Sequence, residues 1–209
     1  MLKIVPFCYN NDPDELLANT YVIIDSDNSC LVVDPSKDND NLKNYIIKND
    51  LNLKAVLLTH GHYDHFSGAK RLINHFKCDL YVSVDDEYML NDPEANCSMY
   101  ISGSYSLDET YKNYPQNGVL SLLNEDIEVI PVPYHTLGSV ALYLKSANTV
   151  LSGDFLFAGG LGRCDLPNNA SRKLNDSLNR IFQLPEDTKV YPGHGPFTTI
   201  QREKTFIKL

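Results

Sequence analysis

The chain has no Cys-x-x-Cys pair, no apolar run of membrane-spanning length, no cluster of lysine and arginine, and no Gly-x-Ser-x-Gly elbow. Each absence excludes something. The five cysteines (Cys8, Cys30, Cys78, Cys97 and Cys164) are scattered through 209 residues. An odd number at such spacing makes no disulfide framework, and it reads as reduced, mostly buried thiols in a cytoplasmic protein. No stretch approaches the roughly 20 apolar residues of a membrane helix, so no membrane partner is expected. Met1 to Cys8 lacks the long apolar core of a signal peptide and soon meets Asn10, Asn11 and Asp12. Lys and Arg number 18 against 27 Asp and Glu, for a net charge of -9 and a pI of about 5.0. Nucleic acid is therefore not an expected partner, because phosphate binding needs a positive field. Without a serine elbow, any hydrolysis has to find another nucleophile. No linker, low-complexity tract or convincing repeat interrupts the chain. Residues 1–209 are expected to form one domain with a substantial core.

What is present alternates between short β-branched runs and helical patterns. Strands are expected at 21–24 and 30–33, joined by a hairpin turn over 25–29. Leu42, Tyr45 and Ile46 mark a helix by their i, i+3, i+4 spacing. A strand follows at 54–59. Ser67 is the expected N-cap of a helix whose buried face is Ala69, Leu72, Ile73 and Phe76. Residues 80–82 read as a short strand, and 85–90 as a helical turn. Residues 91–118 carry Tyr100, Tyr105, Tyr111 and Tyr114 among Asn, Ser, Gly and Pro. They read as a long surface connection over the site. Strand signals resume at 119–123, 127–132, 140–144 and 149–152. A helix with Leu174, Leu178, Ile181 and Phe182 on one face precedes a last strand at 189–191. Two β-rich halves, each ending in helices, imply an α/β sandwich of sheets covered by helices on both sides.

The chain has six histidines, and three of them fall in Thr59-His60-Gly61-His62-Tyr63-Asp64-His65, directly after the apolar run 55–58. Neutral imidazole and carboxylate are the ligands that zinc and similar divalent metals prefer. His135 follows the strand ending at Val132, Asp154 follows 150–153, and His194 sits in Pro192-Gly193-His194-Gly195-Pro196. Each candidate thus ends an expected strand at a turn, where active sites of layered α/β proteins assemble. Five His and two Asp are too many for one tetrahedral ion. They fit two ions that share a carboxylate. His75 lies off the apolar helical face and is expected in solvent. Asp34, before Pro35, either orients a ligand histidine or forms a turn. Arg163 and Asp165 either pair beneath the site, border the pocket, or belong to ordinary loop structure.

The order His60-x-His62-x-Asp64-His65, then His135, Asp154 and His194, resembles the metallo-β-lactamase-fold hydrolases. The segments Asp154 to Pro167 and Val190 to Ile200 are similar to its compact, single-domain glyoxalase II-like branch. The resemblance runs from Asn19 to Ile200 and implies a four-layer αββα sandwich. It implies that His60, His62 and His135 bind a first metal, that Asp64, His65 and His194 bind a second, and that Asp154 bridges them. The implied cofactors are two divalent ions, zinc first, with iron or manganese as alternatives. The chain departs from the pattern around His135. Relatives usually read Gly-His-Thr-Pro-Gly-Ser; here Tyr134 and Leu137 replace the glycine and the proline, which puts pocket shape and turn rigidity in question. The helical domain that supplies glutathione contacts in two-domain relatives has no counterpart, so glutathione specificity is not carried over.

The reaction expected from this resemblance is hydrolysis of a small-molecule thioester by a hydroxide held between the ions, with Asp64 and Asp154 as the catalytic carboxylates. One ion would stabilise the oxyanion as it forms. The nearest alternative is a mononuclear-iron persulfide dioxygenase of the same fold, using His60 or its neighbour, His135 and Asp154. A lactamase is disfavoured because no cysteine stands at position 154, and a flavodiiron reductase because His62 is not Glu and no flavin domain is present. A non-enzymatic binding protein would have lost ligands, and none is lost.

Overall fold

Strands with apolar residues on both faces have to be covered on both faces, and 20–24 and 29–33 are of this kind, buried at every position. The computed structural model describes residues 2–8, 17–37 and 40–207. Its first sheet runs β1 (Lys3–Phe7), β2 (Thr20–Ile24), β3 (Ser29–Val33), β4 (Asn52–Leu57), β5 (Asp79–Val82) and β6 (Lys112–Asn113), in that spatial order. The second half supplies β7 (Val119–Leu120), β8 (Ile127–Pro131), β9 (Val140–Leu144), β10 (Thr149–Gly153), the small ribbon β11 (Leu156–Phe157) and β12 (Gly160–Leu161), then β13 (Lys189–Pro192) and β14 (Thr198–Thr199). Its six-stranded sheet is ordered β14-β13-β10-β9-β8-β7. The helices are α1 (Asp40–Lys48), α2 (Tyr63–Phe66), α3 (Ala69–Phe76), α4 (Ser98–Ile101), α5 (Leu174–Ile181) and α6 (Ile200–Phe206).

Three apolar layers hold these elements. Val22, Val32 and Val56 face Leu42 and Ile46 of α1 and Leu72 of α3. The opposite faces of the same strands, Ile23, Leu31 and Leu57, meet Val129, Leu142 and Leu151 of the second sheet. The far side of that sheet, with Ala141, Val150 and Val190, is covered by Leu178 and Ile181 of α5 and Ile200 of α6. The order is helix, sheet, sheet, helix, as the pattern of the chain implies. A fully buried Leu or Ile contributes roughly 1.5–3 kcal/mol, so these layers dominate the stability of the fold.

Strand periodicity places the core, while the ends of elements deviate from the sequence reading. β1 pairs antiparallel with β2, although its exposed and half-buried residues gave no strand signal. The strand expected over 119–123 stops at Leu120, and β14 and α6 follow the strand expected to be last. Ser67 does not cap α3. Gly68 is the N-cap and makes no side-chain cap bond, while the Ser67 hydroxyl donates to the carbonyl of Ser36. The connection 91–118 contains α4 and β6. Among the described residues no helix is long and apolar enough to cross a membrane.

Candidate metal centre

Strands from both sheets end at one place. β4 runs through Leu58 and Thr59 into His60 and His62, and α2 then presents Asp64 and His65. β8 leads to the turn holding His135, β10 to Asp154, and β13 to His194. The sheets are stitched there: Val140 N donates to Thr59 O at 2.9 Å, and Asn19 N to Gly193 O at 2.6 Å. All seven candidate residues meet, in the groups His60–His62–His135, His60–His65–Asp154 and Asp64–His65–His194.

In the first group His60 Nε2 lies 3.0 Å from His62 Nδ1, which lies 2.9 Å from His135 Nε2. Hydrogen bonds determine the tautomers. His135 Nδ1 donates to Arg163 O at 2.7 Å, so its Nε2 carries the lone pair. The Thr59 hydroxyl donates to Asp34 Oδ2 and therefore accepts from His60 Nδ1, which leaves the lone pair on Nε2. Two fixed lone pairs thus converge with a third ring nitrogen. Ligands at zinc–nitrogen distances in a tetrahedron would lie about 3.3 Å apart, close to this spacing. Burial and the neighbouring imidazoles hold His60 well below the usual histidine range, and push His62 down to about 3. Both are neutral at neutral pH, the form a metal requires.

The second group is rich in carboxylates. His194 Nε2 is 3.0 Å from Asp64 Oδ2, and His65 Nε2 is 3.7 Å from it. Burial disfavours charge on His65, but Asp154, Asp34 and Asp64 outweigh it and raise its pKa. Burial likewise raises Asp64 and Asp154, and the adjacent imidazoles overcome it, so both lie below the ordinary carboxylate range. This is a well for positive charge. Asp154 faces both groups: its Oδ2 is 3.6 Å from His135 Nε2 and 3.6 Å from His194 Nε2, and its Oδ1 is 3.3 Å from His65 Nε2. His65 Nε2 and Asp154 Oδ1 are nonetheless buried without a hydrogen-bond partner among the described residues. A Cβ on Gly193 would collide with Asp154 Oδ1 and the His65 ring, so the glycine keeps the space open. Orphaned donor atoms around a cradle are what a bound cation satisfies, and the residues present fit a metal pair.

The surrounding bonds explain the precision of the site. Asp34, in the left-handed region at φ 50°, accepts from Thr59 N at 2.8 Å and from Thr59 Oγ1 at 2.7 Å, and pairs with His65 Nδ1 at 2.9 Å. It orients a candidate ligand, one of the two roles its sequence context allowed. Asp86 and Asn19 carried no sequence signal. Asn19 Nδ2 donates to Pro192 O and Gly195 O at 3.1 and 3.0 Å, holding the His194 loop. Leu137, in the place of the proline, uses the N–H a proline would lack to reach Asn168 O at 2.8 Å. Tyr134 is buried with its ring edge-on to Phe155. Cys164 stands beside Tyr134, outside the ligand groups. The exposed Arg163 and Asp165 pair with each other at 2.6 Å, and Arg163 reaches the site through its carbonyl. His75 is exposed. A groove of about 1080 Å³ near Val84, Leu137, Tyr143 and Arg180 holds none of the seven residues.

The model of the metallo-beta-lactamase superfamily matches residues 13–194. The chain belongs to this superfamily. Among its members, a probable metallo-hydrolase of Bacillus subtilis (YqgX) is 34% identical over 192 residues, 90% of this chain and 89% of the relative. The hydroxyacylglutathione hydrolase GloC of Haemophilus influenzae is 31% identical over 191 residues, 89% of each. Among solved structures, the BLEG-1 B3 metallo-beta-lactamase superposes with a TM-score of 0.88 at 30% identity, covering 98% of this chain and 97% of that one. TTHA1623 in a di-iron-bound form superposes with a TM-score of 0.84 at 27% identity, covering 99% and 98%. The four-layer metallo-β-lactamase fold and the assignment to a metal-dependent hydrolase superfamily stand together.

Proposed function

We propose that the chain hydrolyses a small thioester of the hydroxyacyl-thiol type with two divalent ions, zinc first and iron or manganese next. His60, His62 and His135 hold one ion, Asp64, His65 and His194 the other, and Asp154 lies between. The observation that carries this reading is the Asp154 carboxylate, within 3.6 Å of nitrogens of both groups. When bound, such ions supply acidified water and polarise a carbonyl. The residues supply the rest. Asp154 keeps the two ligand sets at one spacing. Asp64 presents Oδ2 beside His194 and orients the attacking water. Asp34 fixes the His65 ring so that Nε2 faces inward. A thiolate leaves readily, since an ordinary thiol has a pKa of about 8.5, and no strong general acid is needed. The 31% identity to a protein named hydroxyacylglutathione hydrolase supports the substrate class. On this reading the partner is a small molecule met in the cytoplasm rather than nucleic acid or membrane, which the net charge of -9 supports.

The deciding experiment compares four reactions on protein purified without chelator, beside its metal content. These are hydrolysis of lactoylglutathione, of other low-molecular-weight thiol esters, and of a β-lactam, and oxygen uptake with glutathione persulfide. Two ions per chain with thioester cleavage is the expected result. One iron, oxygen uptake and no thioester cleavage overturns it in favour of the persulfide dioxygenase. Lactam cleavage alone overturns it in favour of a lactamase, a reading that the 30% identity to BLEG-1 supports and residue 154 alone does not exclude.

A further inference from the structure

Asp86 lies just beyond the end of β5, fully buried, and is not one of the seven candidate ligands. Its carboxylate accepts four hydrogen bonds from three separate loops. Gly61 N, between His60 and His62, reaches Oδ2 at 3.1 Å. The Thr136 hydroxyl, next to His135, reaches Oδ2 at 2.6 Å, and Gly138 N reaches Oδ1 at 2.8 Å. Asn168 Nδ2 reaches Oδ1 at 2.8 Å, from the segment whose Arg163 carbonyl holds His135 Nδ1. The fit is close on two sides. A Cβ on Gly138 would meet the Asp86 carboxylate at 2.6 Å, and one on Gly61 would meet Asp86 O at 3.0 Å. Every bond that the carboxylate makes therefore ends on a loop of the first group or on the loop that orients His135. Among the described residues none ends on α2, which carries Asp64 and His65, or on the loop of His194.

We propose that Asp86 is a positioning residue that sets the first metal cluster, by tying the His60–His62 loop and the His135 turn to one carboxylate. This rests on the two-ion reading above. In the turn at His135, Leu137 N reaches Asn168 O and Gly138 N reaches Asp86, so Asp86 and its partner Asn168 both hold the backbone just after this candidate ligand. A carboxylate is required here because it accepts on both oxygens. In Asp86→Asn one oxygen becomes an amide that itself donates, and two of the four donors lose their acceptor. The first cluster should loosen while the second keeps its geometry.

The test uses full-length protein in two backgrounds, each stripped to one cluster, with zinc affinity measured by competition against a chromophoric chelator. His194→Ala keeps the first cluster, and His62→Ala keeps the second. In the His194→Ala protein, Asp86→Asn should weaken zinc binding about 10–100-fold, the usual effect of losing an outer partner of a ligand. In the His62→Ala protein the same change should alter it by less than about twofold, since Asp86 shares no hydrogen-bond partner with Asp64, His65 or His194 among the described residues. Equal weakening in both backgrounds, or none in either, overturns the proposal, since a merely structural aspartate would loosen both clusters alike. If Asp86→Asn does not fold, Thr136→Val deletes one of the four bonds and must show the same asymmetry on a smaller scale. Failure of either single-cluster protein to bind zinc without the Asp86 change defeats the two-ion reading instead, which keeps the two failures apart.

Discussion

Asp154 sits where five imidazoles and a second carboxylate converge, and its removal acts on both groups at once. Asp154→Ala should lower metal content at both clusters and reduce hydrolysis by several orders of magnitude, measured by metal analysis and thioester turnover on one preparation. A variant that keeps two ions and near-normal turnover would refute the shared carboxylate. Gly193 makes a sharper test, because its change adds one methyl and removes no ligand. Its Cβ would enter the space between Asp154 and His65, so Gly193→Ala should fold with an unchanged circular dichroism spectrum and fail to take up the second ion. At this scale the sequence was most legible. All seven residues expected to be ligands lie together, because imidazoles and carboxylates at strand ends have few other uses. Asp86 and Asn19 were not legible. Each acts through hydrogen bonds to backbone groups distant in sequence, Asn19 on Pro192 and Asp86 on Gly61 and Gly138, and a single residue in a turn announces no such partner.

At the scale of elements, apolar periodicity located the buried strands and the helix faces, since burial dictates both. Signals at the ends were weaker. β1 is only half buried, and β14 has two residues, too few to show a period. The connection 91–118 was legible as an excursion and not as a buttress. Asn96 O accepts from Tyr63 N at 2.9 Å, Tyr105 packs on the rings of Tyr63 and Phe66, and the Tyr114 hydroxyl donates to Leu58 O at 2.9 Å. These contacts brace α2 and the exit of β4, which carry the first four candidate ligands. Cys97 opens α4 near enough to Asp64 to feel its charge, and Met99, Tyr100 and Ile101 expose their side chains just beyond. Loops that overlie a rigid site commonly carry its specificity. Replacing Met99 and Tyr100 by Ser should therefore change relative rates among thioesters, with metal content unchanged. Equal loss toward every substrate would count against a specificity role.

For the molecule as a whole, the candidate ligand groups draw on both halves of the sandwich. β4 and α2 belong to the first sheet and its helices, while the residues following β8, β10 and β13 belong to the second, so ions bound there, as proposed above, would link layers that otherwise meet through apolar contacts and a few hydrogen bonds. Ligand binding to the folded state alone at a thousandfold excess over Kd stabilises by about 4 kcal/mol. For a chain of this size that raises the melting temperature by about 8–16 °C. Stripping the metal with a strong chelator should lower the melting temperature by that order and abolish turnover together, and added zinc or iron should restore both. Because no serine elbow is present and the cysteines lie outside the ligand groups, serine- and cysteine-directed reagents should leave hydrolysis intact. Inactivation by a serine reagent with both ions retained would show that the reaction runs through a protein nucleophile, and the carboxylate-centred site would then be structural.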